Sequence, residues 1–444
     1  MEKSASSSSS PFPRKHGRVL YVLTFIAGIG IAYTLERLFS VRTPWALSRQ
    51  NAVPISVQRA LLQQCHSLRT EAGPPLDFHS RQESDRFVFG TRPTLIKNAK
   101  IWTGLKNGTE VIHGDILLDK GLIKSVGRIP QSTLSSLESD VLVEVDAHGR
   151  FVTPGIVDVH SHIGDAPSPQ LLGARDYYSS NGPIAPWARS LDGLNTHDDS
   201  YALSVSGGVT TSLVLPGSEN AIAGQAFVIK LRQTDELSPT SMLLEPPQNL
   251  HLNKSGTPLR YTPWRQMKYA CGETPGGTYS DTRLDTIWAF REAYNEATKI
   301  KKQQDEFCAR AEAGDFEGLG EFPQDLKWEA LVDVIRGRVH VHCYEAVDLD
   351  ALVRLSNEFK FPIAAFHHAM ETYLVPDLLK RAYGPTPAVA LFATSGRYKR
   401  EAYRASEFAP KILAQHGITV TMKSDHPLLD SRHLLYEAQQ AHYY

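Results

Sequence analysis

The chain has 444 residues, 41% hydrophobic and 21% charged, enough to bury a large core and of a length that suits a barrel plus a smaller domain. A formal net charge of -1 gives no dense basic surface for phosphates, so no nucleic-acid partner is expected. The four cysteines, Cys65, Cys271, Cys308 and Cys343, are widely spaced without a C-x-x-C, which argues against a disulfide framework or a thiolate zinc site and leaves buried free thiols as the expectation.

In chain order, a Ser-rich basic tail over residues 1–18 carries Arg14, Lys15 and Arg18 and runs into an apolar stretch from Val19 to Leu35. That stretch holds no acidic residue, and its length falls just short of the roughly 20 residues a spanning helix prefers. It reads as a transmembrane signal anchor over 19–35. The basic residues ahead of it place the N-terminus in the cytosol and the bulk of a single-pass chain in the lumenal or extracellular space. A cleaved signal peptide or an amphipathic presequence is the alternative. Residues 36–93 lack sustained alternation, apart from a short helical pattern from Val57 to Leu68, and read as a stalk or linker.

From Thr94 the character changes. Runs at Thr94–Ile101, Glu110–Leu118 and Leu122–Val126, divided by Gly-containing turns, predict a small antiparallel β domain over 94–150. The run Val141–Val145 then leads through Pro154 and Gly155 into the main domain, 151–444. There, β-like runs alternate with helical stretches, the pattern of a parallel α/β fold. The expected strands are Ile156–His160, Val209–Leu215, Ala226–Lys230, Met267–Cys271, Val339–Cys343, Pro362–His367, Ala388–Phe392 and Ile418–Met422. Eight is the number that closes a TIM-type (β/α)8 barrel. Asp285–Ala313, rich in Glu, Lys and Ala, reads as a long exposed helix, and Arg432–Tyr443 as a last one.

The first strand ends in His160-Ser161-His162. Seventeen histidines in 444 residues give about 0.65 such pairs by chance, and there is a second, His340-Val341-His342. What distinguishes the first pair is its place at the end of an apolar run. Strand alternation turns residues i and i+2 to one face, and the C-terminal ends of barrel strands are where active sites are built. On the same reasoning His342, nearer its strand's C-terminal end, is preferred to His340.

Taken together, Asn98 to Gly104, Gly114-Asp-Ile-Leu, Gly121-Leu-Ile, Val126-Gly127 and Pro154-Gly-Ile-Val-Asp-Val-His-Ser-His162 resemble the entry of the amidohydrolase superfamily into its barrel. The likeness is to the imidazolonepropionase-like and N-acetylglucosamine-6-phosphate-deacetylase-like branches. Gly207-Gly-Val-Thr-Thr211 is similar to the family's second strand and Thr421-Met-Lys-Ser-Asp-His-Pro427 to its eighth. The resemblance implies a divalent metal, Zn²⁺ first, as one or two ions. Its ligands would be His160, His162, His342, His368 and Asp425, with His368 preferred to His367 on the family pattern. An extra ligand is implied from the third or fourth strand region. Glu273, in Cys271-Gly-Glu-Thr-Pro275, is the candidate, with Lys230 the alternative.

The implied chemistry is hydrolysis of a carbon–nitrogen bond other than a peptide bond, in a cyclic amide or an N-acetyl group of a small molecule. A metal-bound hydroxide would attack while Asp425 carries the proton. No G-x-S-x-G offers a serine nucleophile instead. The loop Pro216–Gln225 is read as a substrate loop. Two other readings stand beside this one: a catalytically silent membrane-anchored barrel that binds a ligand, and a metallodipeptidase or ester deacetylase of the same fold. Relatives continue past the eighth strand to complete the small β domain as a sandwich. Only 19 residues follow Asp425 here (444 − 425), so the chain reads as C-terminally truncated, with an incomplete sandwich.

Overall fold

The computed structural model describes residues 53–69, 78–84, 86–135, 137, 141–171, 173–244 and 266–444. Its first sheet is built from β1 (Thr94–Trp102), β2 (Val111–Asp119), β3 (Leu122–Gly127), β4 (Val143–Asp146) and β5 (Phe151–Val152), in the order β3-β2-β1-β4, with β5 also on β1. The expected antiparallel sheet holds only for β1, β2 and β3, because β4 and β5 pair with β1 in parallel. Residues 128–142 supply the long connection that a parallel return requires. Among the described residues this region is one mixed sheet over a small apolar cluster of Ala99, Ile101 and Ile116, not a two-sheet sandwich.

The second sheet has eight strands in chain order: β6 (Ile156–Ser161), β7 (Val209–Val214), β8 (Ile222–Lys230), β9 (Gln266–Ala270), β10 (Arg338–Cys343), β11 (Ile363–His368), β12 (Ala388–Leu391) and β13 (Val420–Met422). A parallel bridge between Ser161 and His426 brings its two edges together into a nearly closed barrel. Each expected strand is present. The direction of β8 departs from expectation, since it runs antiparallel to both β7 and β9. The reason is chain length: only residues 215–221 join β7 to β8, too few for a crossover helix.

Alternation divides each strand between two environments. Met267, Tyr269, Val339 and Val341 pack outward into the main core with Phe290, Tyr294, Leu331 and Leu352. Tyr294 stacks on Phe361 with ring centres 4.5 Å apart, and Tyr269 meets Phe290 edge-on. The intervening residues Lys268, His340 and His342 are thereby turned to the barrel interior.

Helix α1 (Ile55–Ser67) docks on helix α2 (Arg283–Glu312) through a Cys65–Cys308 disulfide and the apolar contacts of Phe307 and Ala311. This part of the expected stalk is therefore held against the barrel domain, and α2, expected as an exposed helix, buries one face. The expectation of free thiols is corrected, since Cys271 and Cys343 also pair and no free cysteine remains. Their sequence separations, 243 and 72 residues, concealed neighbours that only helix docking and the β9–β10 pairing bring together.

The expectation of a single-pass membrane chain is corrected as well. No helix among the described residues is long and apolar enough to cross a membrane. The 19–35 stretch lies outside the described residues.

Candidate metal centre

Strand β6 ends with His160 and His162 on the inward face, His160 fully buried and His162 nearly so. The loop after β13 is stitched to it by two backbone bonds, Asp425 N–H to His160 O and His162 N–H to His426 O, each 2.9 Å. Buried Asp158 adds a third tie, accepting from the Ser424 backbone N–H at 3.2 Å and from the Ser424 hydroxyl. Burial pushes the Asp158 carboxyl up to about 6 against those hydrogen bonds. The result is placement: Asp425 Oδ1 lies 2.9 Å from His160 Nε2 and 3.5 Å from His162 Nε2. These three side chains offer atoms close enough to share one ion.

Asp425 (φ 57°) and His368 (φ 67°) both adopt the left-handed region, a costly backbone for residues with a Cβ that is often found at functional sites. His368 ends β11 with its Nδ1 3.7 Å from Asp425 Oδ2. Lys423 Nζ joins the two, 2.7 Å from His368 Nδ1 and 3.3 Å from Asp425 Oδ2. The Tyr344 ring stacks on His368 at 4.9 Å. His342, at the end of β10, lies one step further out, its ring 4.4 Å from that of His368 and its Nδ1 2.8 Å from the Ser218 hydroxyl. The structure thus brings His160, His162 and Asp425 together tightly, with His368 and His342 beside them.

Glu273 does not join this group. Its carboxylate lies 3.5 Å from Arg400 Nε, and its backbone N–H donates to Glu401 Oε2 at 3.0 Å. Lys230 is also remote in function, donating to Thr211 Oγ1 at 2.7 Å. Because β8 is antiparallel, its C-terminal residue falls at the end of the barrel opposite the histidines. His340, on the same face of β10 as His342, meets His367 and Gln266 instead of His368 and Ser218.

Five residues near the histidines escaped the sequence reading. Lys268, in the middle of β9, is wholly buried and donates to Pro216 O at 3.1 Å; a lysine inside an apolar strand was a readable signal. Lys423 lies within the quoted eighth-strand motif. Ser218 and Glu219 come from the Pro216–Gln225 loop, and Glu219 also accepts from the Tyr177 hydroxyl at 3.2 Å. Glu401, fully buried with Oε1 3.8 Å from His342 Nε2, has no local sequence signal. Gly272 (φ 82°) is required beside it, since a Cβ there would run into the Glu401 carboxylate.

Burial holds the imidazoles of His160, His342 and His368 well below their ordinary range, so they are neutral, the form that ligates a metal. Burial works the other way on Asp425, but Lys423 and the adjacent histidines outweigh it and keep the carboxyl well below the usual range. Desolvation also lowers Lys268 to about 8 and Lys423 to about 7. It raises Glu401 to about 7.

No protein-family model matches the chain. Amidohydrolase tasK of Hapsidospora irregularis is 40% identical over 411 residues, 86% of this chain and 40% of its own length, so the chain spans about two fifths of that relative. A dihydroorotase of Ligilactobacillus salivarius is 38% identical over 72 residues, 16% of this chain and 15% of its own. Among solved structures, an amidohydrolase from Thermotoga maritima MSB8 is similar at 25% identity and a TM-score of 0.64, covering 79% of this chain and 83% of that one. With the eight-stranded barrel and the histidines at its strand ends, these likenesses establish that the chain belongs to the amidohydrolase superfamily.

Proposed function

We propose that this chain is a metal-dependent hydrolase of a non-peptide carbon–nitrogen bond, in a cyclic amide or an N-acetyl group. The observation that carries the reading is a set of buried imidazole nitrogens left open: Nε2 of His342 and His368 lack a hydrogen-bond partner, and that of His160 faces only Asp425 Oδ1 at 2.9 Å. A buried imidazole nitrogen left open is costly unless something binds it. A divalent ion satisfies it, and an imidazole and carboxylate set suits Zn²⁺.

His160, His162 and Asp425 would hold one ion, and His342 and His368 would take part in a second. Lys268 replaces Glu273 and Lys230 as the extra ligand. It lies on the fourth barrel strand, within the third or fourth strand region from which the family resemblance implies a carbamylated lysine or a carboxylate, and its depressed pKa leaves neutral amine available for carbamate formation. Bound there, divalent ions would supply the nucleophile by lowering the pKa of water toward about 7. The chain's own groups handle the proton. Asp425, ionised and buried beside His160, accepts it at Oδ1 or Oδ2 and returns it to the leaving nitrogen. Ser218, Glu219 and Tyr177 stand at the substrate side of the histidines, which supports the loop's role in substrate binding.

The test is elemental analysis of purified protein together with hydrolysis of cyclic amides, N-acetyl amino sugars and dipeptides. One or two equivalents of zinc, lost with activity in a His160→Ala/His162→Ala variant, is the expected result. Folded protein that takes up no divalent metal and cleaves no member of the panel would instead favour a silent binding barrel. Cleavage confined to dipeptides would favour the metallodipeptidase reading.

A further inference from the structure

Behind the metal centre a line of side chains runs inward from His160. His160 Nδ1 lies 2.9 Å from His367 Nδ1. The other nitrogen of that ring, His367 Nε2, lies 3.0 Å from His340 Nδ1. His340 Nε2 lies 2.6 Å from Gln266 Oε1, where the line ends. Strands β6, β11, β10 and β9 each contribute one member. His160 and His367 are fully buried, Gln266 nearly so, and His340 half-buried.

The polarity of this line can be deduced. A hydrogen bond between two imidazole nitrogens needs one protonated and one bare, so each neutral ring passes on one donor and one acceptor. Gln266 Oε1 can only accept, which puts the His340 proton on Nε2 and leaves its Nδ1 bare. His367 must then donate from Nε2 and accept at Nδ1. His160 must donate from Nδ1, so its Nε2 carries the lone pair. At the far end His160 Nε2 faces Asp425 Oδ1 at 2.9 Å, a contact that draws a proton to Nε2 in competition with the relay, so the His160 tautomer is the quantity that decides between them. His162 reaches the same state by a shorter route, because its Nδ1 lies 2.6 Å from Leu215 O, an acceptor only.

We propose that Gln266, His340 and His367 are positioning residues whose hydrogen-bond relay sets His160 as its Nδ1–H tautomer and presents its Nε2 lone pair to the ion. The proposal rests on the metal reading for its purpose, but not for its geometry. It assigns a role to the second H-x-H histidine, His340, and to the first of the two adjacent histidines, His367. Partners that orient a ligating imidazole commonly change metal affinity by about 10–100-fold when removed.

The test uses the full chain, stripped of metal and labelled with ¹⁵N-histidine, with ring tautomers read by two-bond ¹H–¹⁵N correlation. The expected pattern is Nδ1–H for His160 and Nε2–H for His367 and His340. An Nε2–H tautomer for His160 in the folded wild type overturns the proposal. Two variants then separate polarity from packing. Gln266→Glu keeps an acceptor at the end of the line and should hold zinc affinity, measured by chelator competition, within about threefold. Gln266→Met keeps the size but removes the acceptor, and should lower zinc affinity by about 10–100-fold at unchanged circular dichroism. Equal affinity and an unchanged His160 tautomer in Gln266→Met overturn the relay. Should the protein bind no zinc, the tautomers still decide: the expected pattern, lost in Gln266→Met, supports the relay while the metal reading falls.

Discussion

The proposed chemistry of this site runs through one carboxylate, that of Asp425. It occupies a left-handed backbone position, touches His160, His162 and Lys423, and is held there by a backbone bond to His160. Asp425→Asn keeps the shape and removes the proton acceptor, so hydrolysis should fall by about 10²–10⁴-fold with the fold intact; activity within a factor of a few of wild type would remove Asp425 from that role. Lys268→Met should lower bound zinc below the wild-type stoichiometry, read by elemental analysis, and an unchanged stoichiometry would exclude the lysine as a ligand. At this scale the sequence was legible wherever chemistry sits in a local motif. His160, His162 and Asp425 stand in such motifs, and His342 was preferred to His340 because it lies nearer the C-terminal end of β10. Glu401 was not legible, because the loop that brings it to His342 is far away in the chain and carries no periodicity.

Among the elements, α2 shows how a local signal and a tertiary contact combine. Thr282 and Asp285 form a reciprocal capping box that starts the helix, and Arg283 just inside it reaches Glu345 and Asp348 at the start of the Ala346–Phe359 helix. Asp348 is buried whereas Arg283 is nearly half exposed, so solvent screening reduces the pair's worth. Arg283→Met should therefore cost about 1–2 kcal/mol in denaturant unfolding, mostly by leaving the Asp348 carboxylate unpaired. A change near zero would show that water reaches Asp348 freely. The strands were legible for a simple reason: each is a short apolar run between turn residues. The reversal of β8 was not read, although the seven residues from 215 to 221 argue for it. Counting them would also have removed Lys230, since an antiparallel strand ends away from the histidines.

For the molecule as a whole, two kinds of closure matter. The Cys65–Cys308 bond ties α1 to α2 across 243 residues of chain. Replacing both cysteines by Ala should cost about 2–4 kcal/mol of local stability, visible as faster proteolysis within 55–67 at little change in hydrolysis. Protection equal to wild type would mean that the apolar contacts alone hold the helix. The other closure is the meeting of β6 with the loop after β13, which His160, His162 and Asp425 span. An ion bound there stabilises only the folded state, so chelation should lower the melting temperature and zinc should restore it; at 100-fold excess over the dissociation constant the gain is about 2.7 kcal/mol. No shift with either treatment would count against a metal across this seam.

By itself the sequence determined the eight barrel strands, the long helix before the fifth of them and the order in which the candidate histidines and aspartate follow one another, because those are local patterns of apolar period and motif. The tertiary structure alone decided the cysteine pairs, the mixed pairing of the small sheet and the placing of Glu401, not Glu273, beside His342. Those depend on which chain segments pack against one another, and burial, not sequence distance, determines which polar groups meet.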